Sequence, residues 1–504
     1  MTFKSSLFFC IPLLLGIAGC GGGPDFSMDG AIVGLEEFPG SLEPPYGLDA
    51  NSRRVQHLCF ASLLSFNSDG SFSNELAESV VMQDETTFVF TLRDNLAFSD
   101  GSALTASDVV SAYQEILSPG SASSLKGAYA IIESVEATDS RRVVFKLKEP
   151  FAPFFMLATL GISKKLPEEG PRLASGPYEV KEVVENRRIV LQENPRWFGK
   201  HPSLERVVLK LVPDESERVL ELKRGSIDII QNDFAPDLLP FLQEDAGLAV
   251  SQTPGSSFTY VALNLHNPYL SDIRVRQALN LAIDREKLAK SLYKGMVVPS
   301  DSVLPNGHWA RHPKIGVPPF DAKKAKALIK EAQEAFPKKG GTIPIKLALK
   351  VSSNQAAFRL AEALRSSFFD VGVNVEIQAR ERGKFFEEVR SGLFDMYVLT
   401  WAGVVEPDVY RTLFFSSSVP PVGDNRGFYA NPLLDGLLLK ARSSYDREVR
   451  RELYWRVQEI LSQDLPYLHL WHAQNTLVHR RSIEGAKPDA LGSFRFLLDA
   501  KRSG

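Results

Sequence analysis

The chain is 504 residues long, carries 58 Lys and Arg against 61 Asp and Glu, and has a formal net charge of -3. That length suits two to three domains, and the near balance leaves no basic excess of the kind that drives nucleic-acid binding. With 44% hydrophobic and 24% charged residues it is neither disordered nor fibrous, and its one long apolar stretch, at the extreme N-terminus, excludes a polytopic membrane protein.

At that N-terminus, Lys4 precedes an apolar run at 7–17 that Pro12 interrupts. As a helix the run rises only about 17 Å, short of a ~30 Å hydrocarbon core, so it reads as a secretory signal. It ends Ile17-Ala18-Gly19-Cys20, small residues directly before a cysteine. This resembles the lipobox of bacterial lipoproteins, and the resemblance implies a signal peptide over 1–19, a lipidated Cys20 and a tether over 20–27. The glycines at 21–23 give that tether slack. Each acyl chain contributes ~0.8 kcal/mol per buried CH2, so several together hold a protein at a membrane. On that resemblance, of the three cysteines Cys10 would leave with the signal and Cys20 would carry lipid. Cys59 is then alone, which excludes a disulfide scaffold and a four-cysteine zinc site. In the apolar run Leu58-Cys59-Phe60-Ala61 it is expected as a buried thiol.

Strand and helix signals then alternate along the chain. Residues 87–92 (TFVFTL) alternate and are β-rich, so they read as a strand. Thr105 to Asp108 fits a capping box opening an amphipathic helix to about 117, stopped by Pro119 and Gly120. Residues 142–147 form a second strand. The turn at Ser175-Gly176-Pro177-Tyr178 leads into strands at 178–184, 188–192 and 207–212, with a helix at 215–223. The second half continues with a strand at 259–264 and a helix that Asp272 caps, running to about 294 and ended by Gly295. Asp321 caps another to about 336. Strands follow at 345–351, 373–378, 394–401 and 467–471, and helices at 355–370, 383–391 and 446–462. Strand–helix–strand units predict a largely parallel, covered sheet in an α/β fold.

Signatures of catalysis are missing. No G-x-x-x-x-G-K-[ST], H-E-x-x-H or G-x-S-x-G occurs. His308 and His312 are four apart, but Pro313 follows and no Glu lies between them. His469 and His472 sit in a strand-like run, where an odd spacing places them on opposite faces. Ser123-Ser124-Leu125-Lys126 matches S-x-x-K, but the companion S-D-N and K-T-G motifs are absent. The residues point to a non-enzyme with no cofactor and no metal site.

Several stretches together resemble the peptide/nickel-type (family 5) extracellular solute-binding proteins of ABC importers. They are Glu75-Leu76-Ala77-Glu78-Ser79 followed by TFVFTLRDNLAFSDGSALTASDVVSAYQ at 87–114, and SGPYEV at 175–180 with Asn194-Pro195-Arg196-Trp197-Phe198-Gly199. LKRGSIDII follows at 222–230, then NLHNPYLSDIRVRQALNLAIDREKLAKSLYKGMVVPSDSVLP at 264–305. FDAKKAKALIKEA at 320–332 and FDMYVLTWAGVVEPDVYRTLFFSSS at 394–418 complete the set, in the family's order. Within the fourth, Val275, Leu279 and Ile283 share a helical face, so that motif reads as fold-determining rather than ligand-contacting.

The resemblance implies a periplasmic-binding-protein type II fold: two α/β lobes, a hinged cleft between them, and an extra domain inserted in the first. Its boundaries are expected at 28–65 and 173–258 for lobe I, 66–172 for the insertion, 259–471 for lobe II, and 472–504 for a final lobe I segment. It implies a monomeric, envelope-located protein, periplasmic or otherwise extracytoplasmic. That protein takes a small peptide or other solute and delivers it to the permease subunits of an ABC transporter. A nickel chelate, haem or another small ligand is the alternative solute, and a signalling or adhesion lipoprotein the alternative role. In peptide-binding relatives the Trp matched by Trp401 lines the cleft, and an acidic residue three positions on grips the peptide α-ammonium. Here that position is Val404, which lacks the charge; Glu406 lies nearby. Glu43, Tyr46, Tyr129 and Trp471 sit in segments that border the family's cleft. Arg380 and Arg382 follow the strand ending near 378 and are expected at the surface, with an anionic ligand as the alternative partner.

Overall fold

The computed structural model describes residues 30–67, 69–165, 171–232, 234–336 and 344–503. The expected signal peptide, Cys20 and tether lie outside them. An eleven-stranded sheet runs through the molecule in the order Val373–Arg380, Ile345–Ser352, Met396–Trp401, Leu248–Leu263, Tyr467–Arg480, Ile229–Gln231, Gly30–Leu35, Arg206–Leu211, Arg188–Glu193, Tyr178–Val184. Val297–Pro299 adds to Tyr467–Arg480.

The sheet is mixed, not largely parallel. Gly30–Leu35 pairs in parallel with Arg206–Leu211 and Ile229–Gln231, as does Ile345–Ser352 with Val373–Arg380 and Met396–Trp401. The remaining pairs are antiparallel. Tyr178–Val184 and Arg188–Glu193 are joined by three residues, and so short a link permits only antiparallel pairing.

Two long strands, Leu248–Leu263 and Tyr467–Arg480, cross from one half of this sheet to the other. One lobe packs Ala31, Val33, Leu58, Leu191, Leu209 and Phe494 into its core; the other packs Val275, Leu279, Leu349, Leu364, Phe368 and Met396. The lobe boundaries expected at 258/259 and 471/472 both fall inside the crossing strands. Pairing between these strands slips twice. Pro254 faces Gln474 while Phe258 faces His472, a bulge in which Pro254 has no N–H to donate. A Cβ on Gly255 would meet the Ala473 carbonyl oxygen at 2.7 Å, so only glycine allows this close approach. The second slip, between Thr259 and Tyr260, leaves Leu470 unpaired. That extra residue corrects the expectation of opposite faces: both His469 and His472 lie against the Phe258 ring, at 5.1 and 5.6 Å.

A separate four-stranded antiparallel sheet, Ala77–Met82, Thr87–Leu92, Arg142–Leu147 and Ile132–Ala137, carries its own core. Phe88, Phe90 and Leu92 point inward at period two and meet Phe145, Phe154 and Tyr113. Tyr113 comes from the helix Ala106–Leu117, whose capping box places the Thr105 N–H 2.8 Å from Asp108 Oδ2.

The single helix expected from 272 to 294 is two. Ile273–Leu281 stops, and Asp284 recaps Arg285–Tyr293 by accepting from the Lys287 N–H. Asp272 and Asp284 are both N-caps, so the second interrupts the first helix. Cys59 is a buried free thiol whose pKa burial raises. Ser123 donates to the Pro45 carbonyl and Lys126 to the Pro119 carbonyl, which makes that S-x-x-K structural. Among the described residues no helix is long and apolar enough to cross a membrane.

His308, His469 and His472 are enclosed around the second lobe, and burial pushes their pKa values down to about 4, 3 and 4. An unfolded histidine titrates near 6.5. Below that pH the unfolded chain binds more protons, so stability falls as pH drops, until the folded values are passed. Asp301 and Asp408, raised by burial, act in the opposite sense and are outnumbered. The thermal midpoint is expected to fall between about pH 7.5 and about pH 5. The double variant His469→Gln/His472→Gln should flatten that fall, and a wild-type midpoint unchanged across the window would contradict the assignment.

Candidate functional site

The helix Ala50–Cys59 begins at Asp49, whose Oδ1 accepts from the Ser52 N–H at 2.8 Å. One side of it, Val55, Leu58 and Cys59, is buried in the first lobe. Ala50, Arg53, Arg54 and His57, at spacings of three and four, line a cavity of about 530 Å3. The inserted sheet domain contributes Met156 and Thr159 to this cavity, the crossing strands Ser257 and Asn475, and the second lobe the 402–405 loop. All three structural units and the hinge therefore meet at one place.

The charged groups of this cavity differ in how far they are engaged. Arg54 donates to the Gly492 carbonyl and to Asn51 Oδ1, and its guanidinium covers the Phe494 ring at 5.2 Å. Arg495 lies 3.2 Å from Glu75 Oε1, while Glu75 Oε2 accepts from the Ser62 N–H and hydroxyl. The Arg53 guanidinium has no hydrogen bond or ion pair among the described residues. His57 is open to water within the cavity yet surrounded by protein. Desolvation, with Arg495 and Arg53 nearby, holds its pKa down to about 4, so it is neutral at pH 7.

A second chamber of about 820 Å3 adjoins the first and shares Met156, Gly403 and Val405 with it. It lies between the inserted domain and the second lobe, with Lys148, Glu149, Phe151, Trp401, Asp408 and Arg442 among its walls. Trp401 ends its strand half-buried at this wall. Gly403, at φ +67, then turns the loop into the left-handed region. The two sides touch directly: the Ala152 N–H donates to the Arg442 carbonyl at 2.7 Å, and the Phe151 N–H to Tyr445 Oη at 2.8 Å. Tyr445 Oη in turn donates to the Glu85 carbonyl.

Several residues expected at the ligand are elsewhere. Val404 borders the second chamber, but it is 2% exposed and its side chain packs with Phe258, Tyr410, Phe414 and Tyr454. Its N–H donates to the Ser256 carbonyl at 3.0 Å. Trp471, 1% exposed, is a core residue against Tyr293. Tyr129, 5% exposed, packs on Tyr113 and donates to the Leu157 carbonyl. Glu43 and Tyr46 join a clasp outside both cavities: Arg172 binds Glu43 at 2.6 Å and Glu115 at 2.5 Å, and Tyr46 Oη donates to Glu115. Glu406 is paired with Arg450, and Arg380 with Glu388. Sequence reasoning missed Arg53, Arg54 and His57; their signal was the run of basic residues spaced three and four apart behind an Asp cap.

A model of the bacterial extracellular solute-binding proteins, family 5 Middle, matches residues 71–420. The chain is 27% identical over 481 residues to the Probable D,D-dipeptide-binding periplasmic protein DdpA of Escherichia coli (strain K12), covering 91% of each. The crystal structure of the ABC transporter substrate binding protein CtaP from Listeria monocytogenes superposes with a TM-score of 0.84 at 23% identity, over 94% of this chain and all (100%) of that one. The oligopeptide-binding protein AppA from Bacillus subtilis, solved with a nonapeptide, gives 0.76 at 24% identity, over 94% of this chain and 99% of that one.

Placing an acid at 404 has a definite consequence. Val404→Asp puts a carboxylate into an apolar cluster with no partner, at a cost of roughly 3–5 kcal/mol. The expected outcome is a marked drop in thermal midpoint, against a small one for Val404→Ala. A stable Val404→Asp protein would show instead that this side chain reaches the cavity.

Proposed function

The chain belongs to the bacterial extracellular solute-binding proteins of family 5, and we propose that it captures peptides between its lobes and delivers them to the permease of an ABC importer. The observation that carries this reading is the cavity bounded at once by both lobes, the inserted domain and the crossing strands. A ligand there touches every unit only when they are together. It therefore stabilises the closed arrangement by the difference between its contacts in the two states. This cavity and the adjoining chamber are each of the size that ligand clefts occupy. An extended peptide would be held largely through its backbone, each hydrogen bond contributing a net ~0.5–1.5 kcal/mol whatever the side chains.

The same proposal covers the expected boundaries of the lobes and insertion, and a lipid anchor at Cys20. Lipid attachment keeps the binding protein beside its permease, so that capture and hand-over occur in one thin layer at the membrane. The relatives are binding proteins, and the energy for import belongs to the transporter.

Two measurements check this. The purified domain should rise in thermal midpoint with a mixed peptide pool, since ligand at about one hundred times Kd adds ~2.7 kcal/mol. No rise with any peptide length would overturn the peptide reading. In cells, Cys20→Ala should move the protein from the membrane fraction to the soluble one; continued membrane association would overturn the anchor.

A further inference from the structure

We propose that the interlobe cavity is a carboxylate-receiving site centred on Arg53, and that it sets the direction of the ligand. The acidic end lies in the cleft, the rest runs toward the second chamber, and no free α-ammonium is required. This deepens the peptide reading and rests on it.

The first support is a difference in charge between the two cavities. Among the described residues the cleft is lined by three guanidinium groups, Arg53, Arg54 and Arg495, against one carboxylate, Glu75. The second chamber is balanced, with Lys148, Arg411 and Arg442 facing Glu149, Glu406 and Asp408. An anionic group is therefore favoured at one end of the joined space and not at the other.

The second support is which of these groups are already committed. Arg54 and Arg495 have partners; Arg53 has none among the described residues and stands between Ala50 and His57 on the cavity side of the helix. That helix is fixed by its Asp49 cap and its buried face, so the guanidinium is offered from a rigid base. A planar fork of donors matches a carboxylate in two places. The neutral imidazole of His57, one turn on, adds an N–H donor without repelling Arg53.

The third support is the shortage of acceptors for an ammonium group. Glu75 is held by Arg495 and Ser62, Glu406 by Arg450, and Asp408 by Arg442 at 2.9 Å. Glu149 has no such partner but is exposed, where water screens it. Val404, at the wall of the second chamber, offers only an apolar side chain that is 2% exposed.

Alanine di- to pentapeptides in free, N-acetylated and C-amidated forms, titrated calorimetrically into the wild-type domain, Arg53→Ala and Arg53→Lys, test this. Acetylation should leave affinity within about threefold, while amidation should weaken it by about tenfold or more, as expected for a lost charge-assisted pair. Arg53→Ala should bring the free and acetylated forms to the amidated level and leave the amidated form unchanged; Arg53→Lys should recover part of the loss. Unaltered melting of Arg53→Ala, whose side chain is exposed and unpaired, shows that the fold is intact. Binding abolished by acetylation and indifferent to amidation would overturn the proposal while leaving the peptide reading in place. Failure of every form at every length would overturn the peptide reading itself.

Discussion

The pairing of two antiparallel strands, Leu248–Leu263 with Tyr467–Arg480, is the constraint on which the cleft depends. These strands belong to both halves of the large sheet, so any motion of one lobe against the other bends them. Their register slip at Pro254–Phe258 supplies the place to bend. A bulge breaks the ladder locally and increases twist, and here it combines a proline without a donor and a glycine in close contact with the opposite backbone. Ser257 and Asn475, from the same stretch, line the cleft. A ligand held in this cleft, as proposed, would sit beside the bulge, where a hinge motion moves the walls least. A modest rotation then separates an open cavity from an enclosed one, and a few contacts at the rim suffice to bias it.

Charge is distributed to match. Pairs that tie segments together have at least one shielded member: Glu406 with Arg450, Asp408 with Arg442, and the buried Arg172 between Glu43 and Glu115. Removing Glu406 strands Arg450, and removing both Glu43 and Glu115 strands Arg172, each a guanidinium that water scarcely reaches, which is why these pairs act as structural fasteners. The groups left with spare bonding capacity, Arg53 and His57, lie at the cleft wall on a helix that is otherwise buried. The same residue types do opposite work in the two settings, and the difference is solvent access and partner, not identity.

Much of the fold was legible because its signals are local. The alternation of TFVFTL, the Thr105–Asp108 box and the Asp321 cap each specify an element within a few residues, and each element formed where expected. The long 272–294 helix was misread because two Asp caps in one apolar pattern look like a single run. The site was less legible because it is assembled from distant segments. Nothing in the sequence distinguishes Arg53 from Arg54; Asn51 on the same helix and Gly492, brought up by the fold, occupy Arg54 and leave Arg53 free. Trp471 and Tyr129 were expected at the ligand from position alone, and apolar packing took both into cores. The two histidines at 469 and 472 share a face because of one unpaired residue, which no periodicity reveals.

The loop after Trp401 shows how the site and the hinge are joined. Gly403 turns the chain, Val404 drops its side chain into the aromatic cluster, and its N–H bonds the Ser256 carbonyl inside the bulge. The neighbours Gly403 and Val405 line both cavities. Val404 is therefore a positioning residue: it anchors a cavity-lining loop to the bulge in the crossing strands. An acid in its place would lose the apolar anchor as well as bury a charge. With that anchor apolar, the proposed recognition of a peptide terminus falls to the opposite wall, where the first lobe presents its guanidinium groups. A ligand gripped there and covered by the 402–405 loop spans the bulge, and its binding energy acts directly on the closing motion.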